Sequence, residues 1–181
     1  MSTLKLSPGH LAHGGQANEP TSESRSVARE DIMNVLAPIG RLLFSAIFIT
    51  SGVNHFAHVN EMVGHVQSMG IPQPRLAILF SGALIFVCGV GILLGAFARL
   101  SAAIIALFLV VTAFTMHRFW GLADAQASQM QLAHFMKNIA LAGGGLLITY
   151  FGPGPYSLRE RKAVEAGRPG YAFRFRQRPQ E

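Results

Sequence analysis

The chain is short of charge and nearly free of cysteine. Charged residues make up 13 % of its 181 positions, about half the share of a soluble domain. Its one cysteine, Cys88, sits in the middle of an apolar run. That excludes an intramolecular disulfide and a cysteine-built metal cluster, and leaves the redox compartment unread. The first 31 residues contain no apolar stretch of the kind that forms a secretory signal. Acidic residues number 9 against 15 basic ones, for a formal charge of +6 and a pI near 10.3. The aromatics lie in apolar runs and are not interleaved with basic residues on a soluble patch, so a nucleic-acid surface is not expected. Basic segments drawn to anionic lipid headgroups are the simpler reading.

What the chain does have is hydrophobicity, gathered in its middle. Half of its residues are hydrophobic and the mean hydropathy is +0.35 although both ends are polar. At this length one domain is expected. Four apolar spans stand out, Val35–Val53, Leu76–Ala98, Leu100–Met116 and Leu132–Phe151. Each is long enough, as a helix, to cross about 30 Å of hydrocarbon with modest adjustment. The second and third contain no charged residue, and a helix apolar on every face belongs in lipid more often than in a soluble core. The expected fold is all-α, an integral membrane bundle of four helices. The organisation is a disordered cytoplasmic leader over 1–31, the membrane domain over 32–158 and a basic cytoplasmic tail over 159–181. A tight turn at Ala98–Arg99 makes the second and third spans antiparallel neighbours.

Basic residues set the orientation. With the N-terminus inside, cytoplasmic segments hold Arg25, Arg29, Arg99, Arg159, Arg161, Lys162 and Arg168, whereas the outer loops hold Arg75 and Arg118. That asymmetry predicts both termini on the cytoplasmic side. In the first outer loop Phe56, Val59, Met62, Val63, Val66 and Met69 recur at helical spacing. They predict a short amphipathic helix on the outer surface. Gly70 and the prolines of Ile71-Pro72-Gln73-Pro74 end it. Gly152-Pro153-Gly154-Pro155 stops the fourth span, and the tail closes on alternating aromatic or small and cationic residues, Tyr171 to Arg176.

Without a hydrophobic drive between helices in lipid, close approach needs small residues. Gly82, Gly89, Gly91 and Gly95 supply them in the second span, Ala102, Ala106 and Ala113 in the third, and Gly143 to Gly145 in the fourth. Polar residues at membrane depth are costly, about 2.5–3.5 kcal/mol for a charge near the centre, and they cluster. Three helix ends bring Asn54, His55, His117, Trp120, His134, Lys137 and Asn138 to the outer leaflet. Arg41, Ser45, Gly52 and His55 follow a three-four spacing through the first span. The pattern predicts a polar pocket opening outward, with Arg41 at its cytoplasmic floor or on inner-leaflet phosphates. The bland alternative is a set of polar helix ends, an aromatic belt at Trp120 and a snorkelling Lys137. His55, His117 and His134 are also candidate ligands for copper, zinc or haem iron, since neutral imidazole suits each. His58, Glu61 and His65 share a face of the surface helix and form a second candidate set.

The order of these pieces carries a resemblance. Gly40-Arg41-Leu42-Leu43 opens the first span and Ser51-Gly52-Val53-Asn54-His55-Phe56 closes it. Gly70-Ile71-Pro72, Gly95, Arg99-Leu100, Met116 to Trp120, His134 to Asn138 and Gly152 to Leu158 follow in turn. From about Leu36 to Leu158 the chain resembles the DoxX family of four-helix bacterial membrane proteins. The resemblance implies a multi-pass protein of the bacterial inner membrane and association with membrane-bound oxidoreductases, thiosulfate:quinone oxidoreductase among them. Many relatives carry an acidic residue in the second span, and here Ile85 to Gly95 has none. A mechanism needing an intramembrane carboxylate is therefore not expected. Three functional expectations follow: a membrane subunit of a quinone- or thiol-linked redox system, a non-catalytic scaffold whose glycine seams dock an oxidoreductase partner, and a metal or haem protein.

Overall fold

The computed structural model describes residues 22–167, and six helices account for the regular structure among them. They are α1 (Ser22–Ala57), α2 (Val59–Ser68), α3 (Pro74–Leu94), α4 (Ala98–Met116), α5 (Ala125–Phe151) and α6 (Leu158–Glu165). Four of them, α1 from Asn34 onward, α3, α4 and α5, are long and apolar enough to cross a membrane. Their outer faces suit only lipid. Phe80, Val87, Leu107 and Leu146 are each at least 60 % exposed, an apolar surface far larger than a soluble monomer tolerates.

Helix ends depart from the sequence expectation where capping overrides hydropathy. The second span ends at Leu94, not Ala98, because Gly95 adopts the left-handed conformation at φ 68° and closes the helix. The turn is therefore Gly95 to Phe97, and Ala98 and Arg99 already belong to α4. The fourth span starts seven residues earlier than Leu132. The Asp124 carboxylate caps α5 by accepting from the Gln126 N–H at 2.9 Å, which satisfies a donor that a helix start leaves open. Helix α1 begins at Ser22, inside the expected leader. Residues 1–21 and the expected motif Tyr171 to Arg176 lie outside the described residues.

The bundle is built as two close pairs, α1 on α3 and α4 on α5, joined along α3 and α4. Phe48, Ile85, Cys88, Ile92, Ile105 and Leu109 form the shared core with Ala102, Ala106 and Ala142. Small residues make each seam. A β-carbon at Gly82 would meet the His55 Cβ at 2.7 Å, and one at Gly89 would meet Ile49 Cγ1 at 3.0 Å. On the other pair, a β-carbon at Gly145 would meet the Ala102 carbonyl oxygen at 3.1 Å and Ala106 Cβ at 3.3 Å. Gly91 faces Ser101, joining α3 to α4. The glycine seams expected to dock a partner are thus largely spent inside the bundle. Gly143 is the exception in the fourth span, exposed and with nothing within 4 Å of its would-be β-carbon.

Helix α2 is the short amphipathic helix expected between the first two spans, and its apolar face is partly spent on the bundle. Val59 and Val66 are buried with Ile78 of α3, and Met62 and Val63 pack there beside Met116 at the end of α4. The helix is a cover over one end of the bundle, because the same apolar spacing that suits an interface also suits a protein groove.

Candidate functional site

The polar residues sort into two places at opposite ends of the bundle. At the end holding α2, His117 follows the last turn of α4 and His134 lies in the third turn of α5. Their rings are 5.2 Å apart between centroids and tilted by 30°. The Nδ1–H of His117 donates to Oε1 of Gln131 at 3.0 Å. Gln131 is three residues before His134 on α5, so one helical turn presents both to His117. A cluster of aromatic rings lies next to the pair in sequence. Phe135 meets Phe114 at 5.2 Å, Phe119 at 5.5 Å and Trp120 at 6.2 Å, mostly edge to face, a favoured arrangement of ring quadrupoles.

The other expected members of this rim take separate positions. Asn138, one turn beyond His134, is 6 % exposed, whereas Lys137 and Asn54 face outward. His55 belongs to the other helix pair, packed beside Gly82, and its Nδ1–H donates to the Ser51 carbonyl at 2.7 Å. The rim is therefore not one ring of three histidines. Among the described residues no three His, Cys, Asp or Glu side chains form a set that could hold a metal ion. Neither His55, His117 and His134 nor His58, Glu61 and His65 assembles as the metal reading requires. Gln131 was the residue that sequence reasoning passed over. Its spacing from His134 was the available signal, but only the fold shows that α4 ends against that turn.

Burial holds the His117 pKa below the usual imidazole value of about 6.5. The bond to Gln131 opposes that shift, and the charges of His134, Lys137 and His65 add to it. His65 comes from α2, so the cover helix brings a third imidazole into the electrostatics of the pair. The unfolded chain takes up a proton near the usual value while the folded ring stays neutral. The stability contribution of neutral His117 is thus complete above that value and is lost as the pH falls through the window below it. In an NMR titration the His117 ring should have a midpoint below that of free imidazole, and Gln131→Leu should lower it further. A wild-type midpoint at or above about 6.5 would contradict the half-buried, neutral ring.

At the far end the arrangement is structural. Arg41 is 5 % exposed, inside α1. Its Nη1 donates to the Pro153 carbonyl at 3.0 Å and its Nη2 to the Tyr156 carbonyl at 2.9 Å. Arg41 is therefore not on lipid phosphates and does not floor a pocket. Its fork clamps the segment after α5. Ser45, fully buried, turns its hydroxyl back onto the Arg41 carbonyl at 2.6 Å. Gly95 completes the clamp, since a β-carbon there would run into Ser157 Cβ and lie 2.8 Å from Arg41 Nη1. The clamped segment leads directly into α6. Ser157 caps it by accepting from the Glu160 N–H at 3.2 Å, and the Tyr156 N–H donates to the Glu160 carboxylate at 2.6 Å.

Comparison with known proteins agrees with this architecture. The DoxX family model matches residues 36–118, which takes in α2, α3, α4 and α1 from Leu36 onward. The chain is 32 % identical over 128 residues to Inner membrane protein YphA of Escherichia coli (strain K12), covering 70 % of this chain and 90 % of that protein. It is 33 % identical over 120 residues to Inner membrane protein YqjF of the same organism, covering 66 % of this chain and 86 % of that one. No solved structure matches the chain.

Proposed function

The chain belongs to the DoxX family of multi-pass inner membrane proteins, and from that premise we propose that it is the membrane subunit of a redox system, taking up a quinone-type headgroup beside His117 and His134. The observation that carries the reading is the fixed imidazole pair: two rings 5.2 Å apart, one of them oriented by Gln131 at 3.0 Å. With Nδ1–H committed to Gln131, a neutral His117 presents Nε2 as an acceptor. An acceptor suits the hydroxyl of the reduced, quinol form better than the carbonyl of the quinone. When such a quinol is oxidised, two electrons pass to the redox partner and two protons leave, the first onto Nε2 of His117 and the second to the adjoining water. His134 offers the second polar contact and Lys137, close by on α5, favours the phenolate that develops. The neighbouring cluster of Phe114, Phe119, Trp120 and Phe135 offers a flat apolar ring its faces and edges.

Orientation belongs to the same reading. The end holding α6 carries Arg99, Arg159, Arg161 and Lys162, while the α2 end carries Arg75 and Arg118 among its arginines. In this reading both termini are cytoplasmic and the histidine pair lies toward the outer leaflet, which the excess of basic residues at the α6 end supports. A reporter enzyme fused to the C-terminus and active only outside the cytoplasm should stay silent, and activity there would reverse the assignment.

Binding decides the functional reading. Protein in nanodiscs should bind a quinol analogue, and His134→Ala or His117→Ala should weaken it by at least about tenfold, equivalent to about 1.4 kcal/mol. Unchanged affinity in both variants would remove the histidine pair from the function.

A further inference from the structure

We propose that the groove between the α3–α4 turn and α6 is a binding site for an anionic phospholipid. It lies at the opposite end of the bundle from the histidine pair and is independent of any redox role. The groove encloses about 470 Å³ and is lined by Phe97, Arg99, Leu100, Leu158, Arg159 and Lys162 together with Ala96. That volume falls within the usual range of small-molecule sites. Its composition is divided in the way an amphiphile is divided. Arg99 from the first turn of α4 and Arg159 and Lys162 from α6 bring three cations from two elements to one opening. Phe97 and Leu100, 73 % and 63 % exposed, continue from them along the lipid-facing side of the bundle.

Among the described residues no acidic side chain lines the groove. A phosphodiester fits the cationic part, since a guanidinium presents a planar fork matched to phosphate oxygens. The apolar part has no use for inorganic phosphate, but it suits the upper acyl chain of a lipid lying at the interface. Arg161, by contrast, points to Glu165 on its own helix at 3.2 Å.

The groove is held in shape before any lipid arrives. Helix α6 is not a loose tail, because Arg41 fixes the Pro153 and Tyr156 carbonyls immediately before it and Ser157 caps its start. Arg99 is anchored as well, one Nη donating to the Phe151 carbonyl at 3.4 Å. A pre-formed site spares much of the ordering cost of binding.

Native mass spectrometry of the full chain, released from nanodiscs of mixed phosphatidylglycerol and phosphatidylcholine, tests the site. The wild type should retain phosphatidylglycerol over phosphatidylcholine by about tenfold. The double substitution Arg159→Gln with Lys162→Gln, at two exposed positions of α6, should abolish that preference, and Arg159→Lys should keep most of it. Phe97→Ser should shorten retention of the lipid. Millimolar inorganic phosphate should leave the lipid bound. Equal retention of the two lipids by the wild type, an undiminished preference in the double variant, or displacement of lipid by inorganic phosphate would each overturn the proposal.

Discussion

Arg41→Met should lower the stability of the bundle by roughly 2–4 kcal/mol, the sum expected when two hydrogen bonds to a charged donor are lost and their acceptors are left without it. The side chain is buried, and its two Nη groups serve the Pro153 and Tyr156 carbonyls at 3.0 and 2.9 Å. Methionine is apolar and of similar length, so it fills the space without serving either oxygen. Part of the loss is offset because a buried cation no longer has to be desolvated. For a chain of this size the midpoint of thermal unfolding in detergent should fall by about 5–15 °C. Arg41→Lys should recover little, since a single ammonium cannot reproduce a fork that reaches two carbonyls. The binding of a quinol analogue at the other end should change much less than the midpoint does. A midpoint within about 2 °C of wild type would show that the clamp is dispensable.

Gly52→Leu is the second large effect, and its cause is steric. A β-carbon at Gly52 would lie 2.7 Å from Phe86 Cβ and 2.9 Å from the Gly82 carbonyl oxygen, both on α3. Helix α3 cannot give way at its backbone without opening the seam that Gly82 and Gly89 make with α1. Alanine alone should cost about 1–3 kcal/mol through overpacking, and leucine should prevent the α1–α3 pair from closing. Because helices in lipid associate through packing and not through the hydrophobic effect, nothing compensates for the lost approach. The expected readout is loss of the folded monomeric species in detergent for Gly52→Leu, with Gly52→Ala folded but less stable. Gly143→Ala is the control, since its β-carbon would meet nothing within 4 Å. It should be neutral or slightly stabilising, as alanine favours a helix interior over glycine. Equal behaviour of Gly52→Ala and Gly143→Ala would refute the seam.

These two residues illustrate where sequence reading succeeds and where it stops. Gly52 and Arg41 lie on one stripe of α1 by spacing alone, and that stripe is the face turned inward, as the burial of Arg41, Ser45, Phe48 and Gly52 shows. Spacing could not say what each would meet. Phosphate was an open partner for Arg41 because an intramembrane arginine has few others in view from a linear sequence. Its actual partners lie 112 and 115 residues away.

The amino-acid sequence by itself determined the membrane class, the four spans and the family. Those properties depend on local hydropathy, on residue type at helix ends and on the order of short motifs, all of which are written along the chain. It also determined which faces are lined with small residues, because helical periodicity is fixed by backbone geometry. The tertiary structure alone decided how the polar residues are shared out. His117 found His134 and Gln131 because α4 ends against the second and third turns of α5, and His55 went to the other pair because Gly82 leaves room for its Cβ there. It decided too that α2 covers the bundle and that Arg41 holds the segment before α6. Each of these outcomes rests on which helix lies beside which, and that is set by packing between residues far apart in the sequence, where periodicity carries no information.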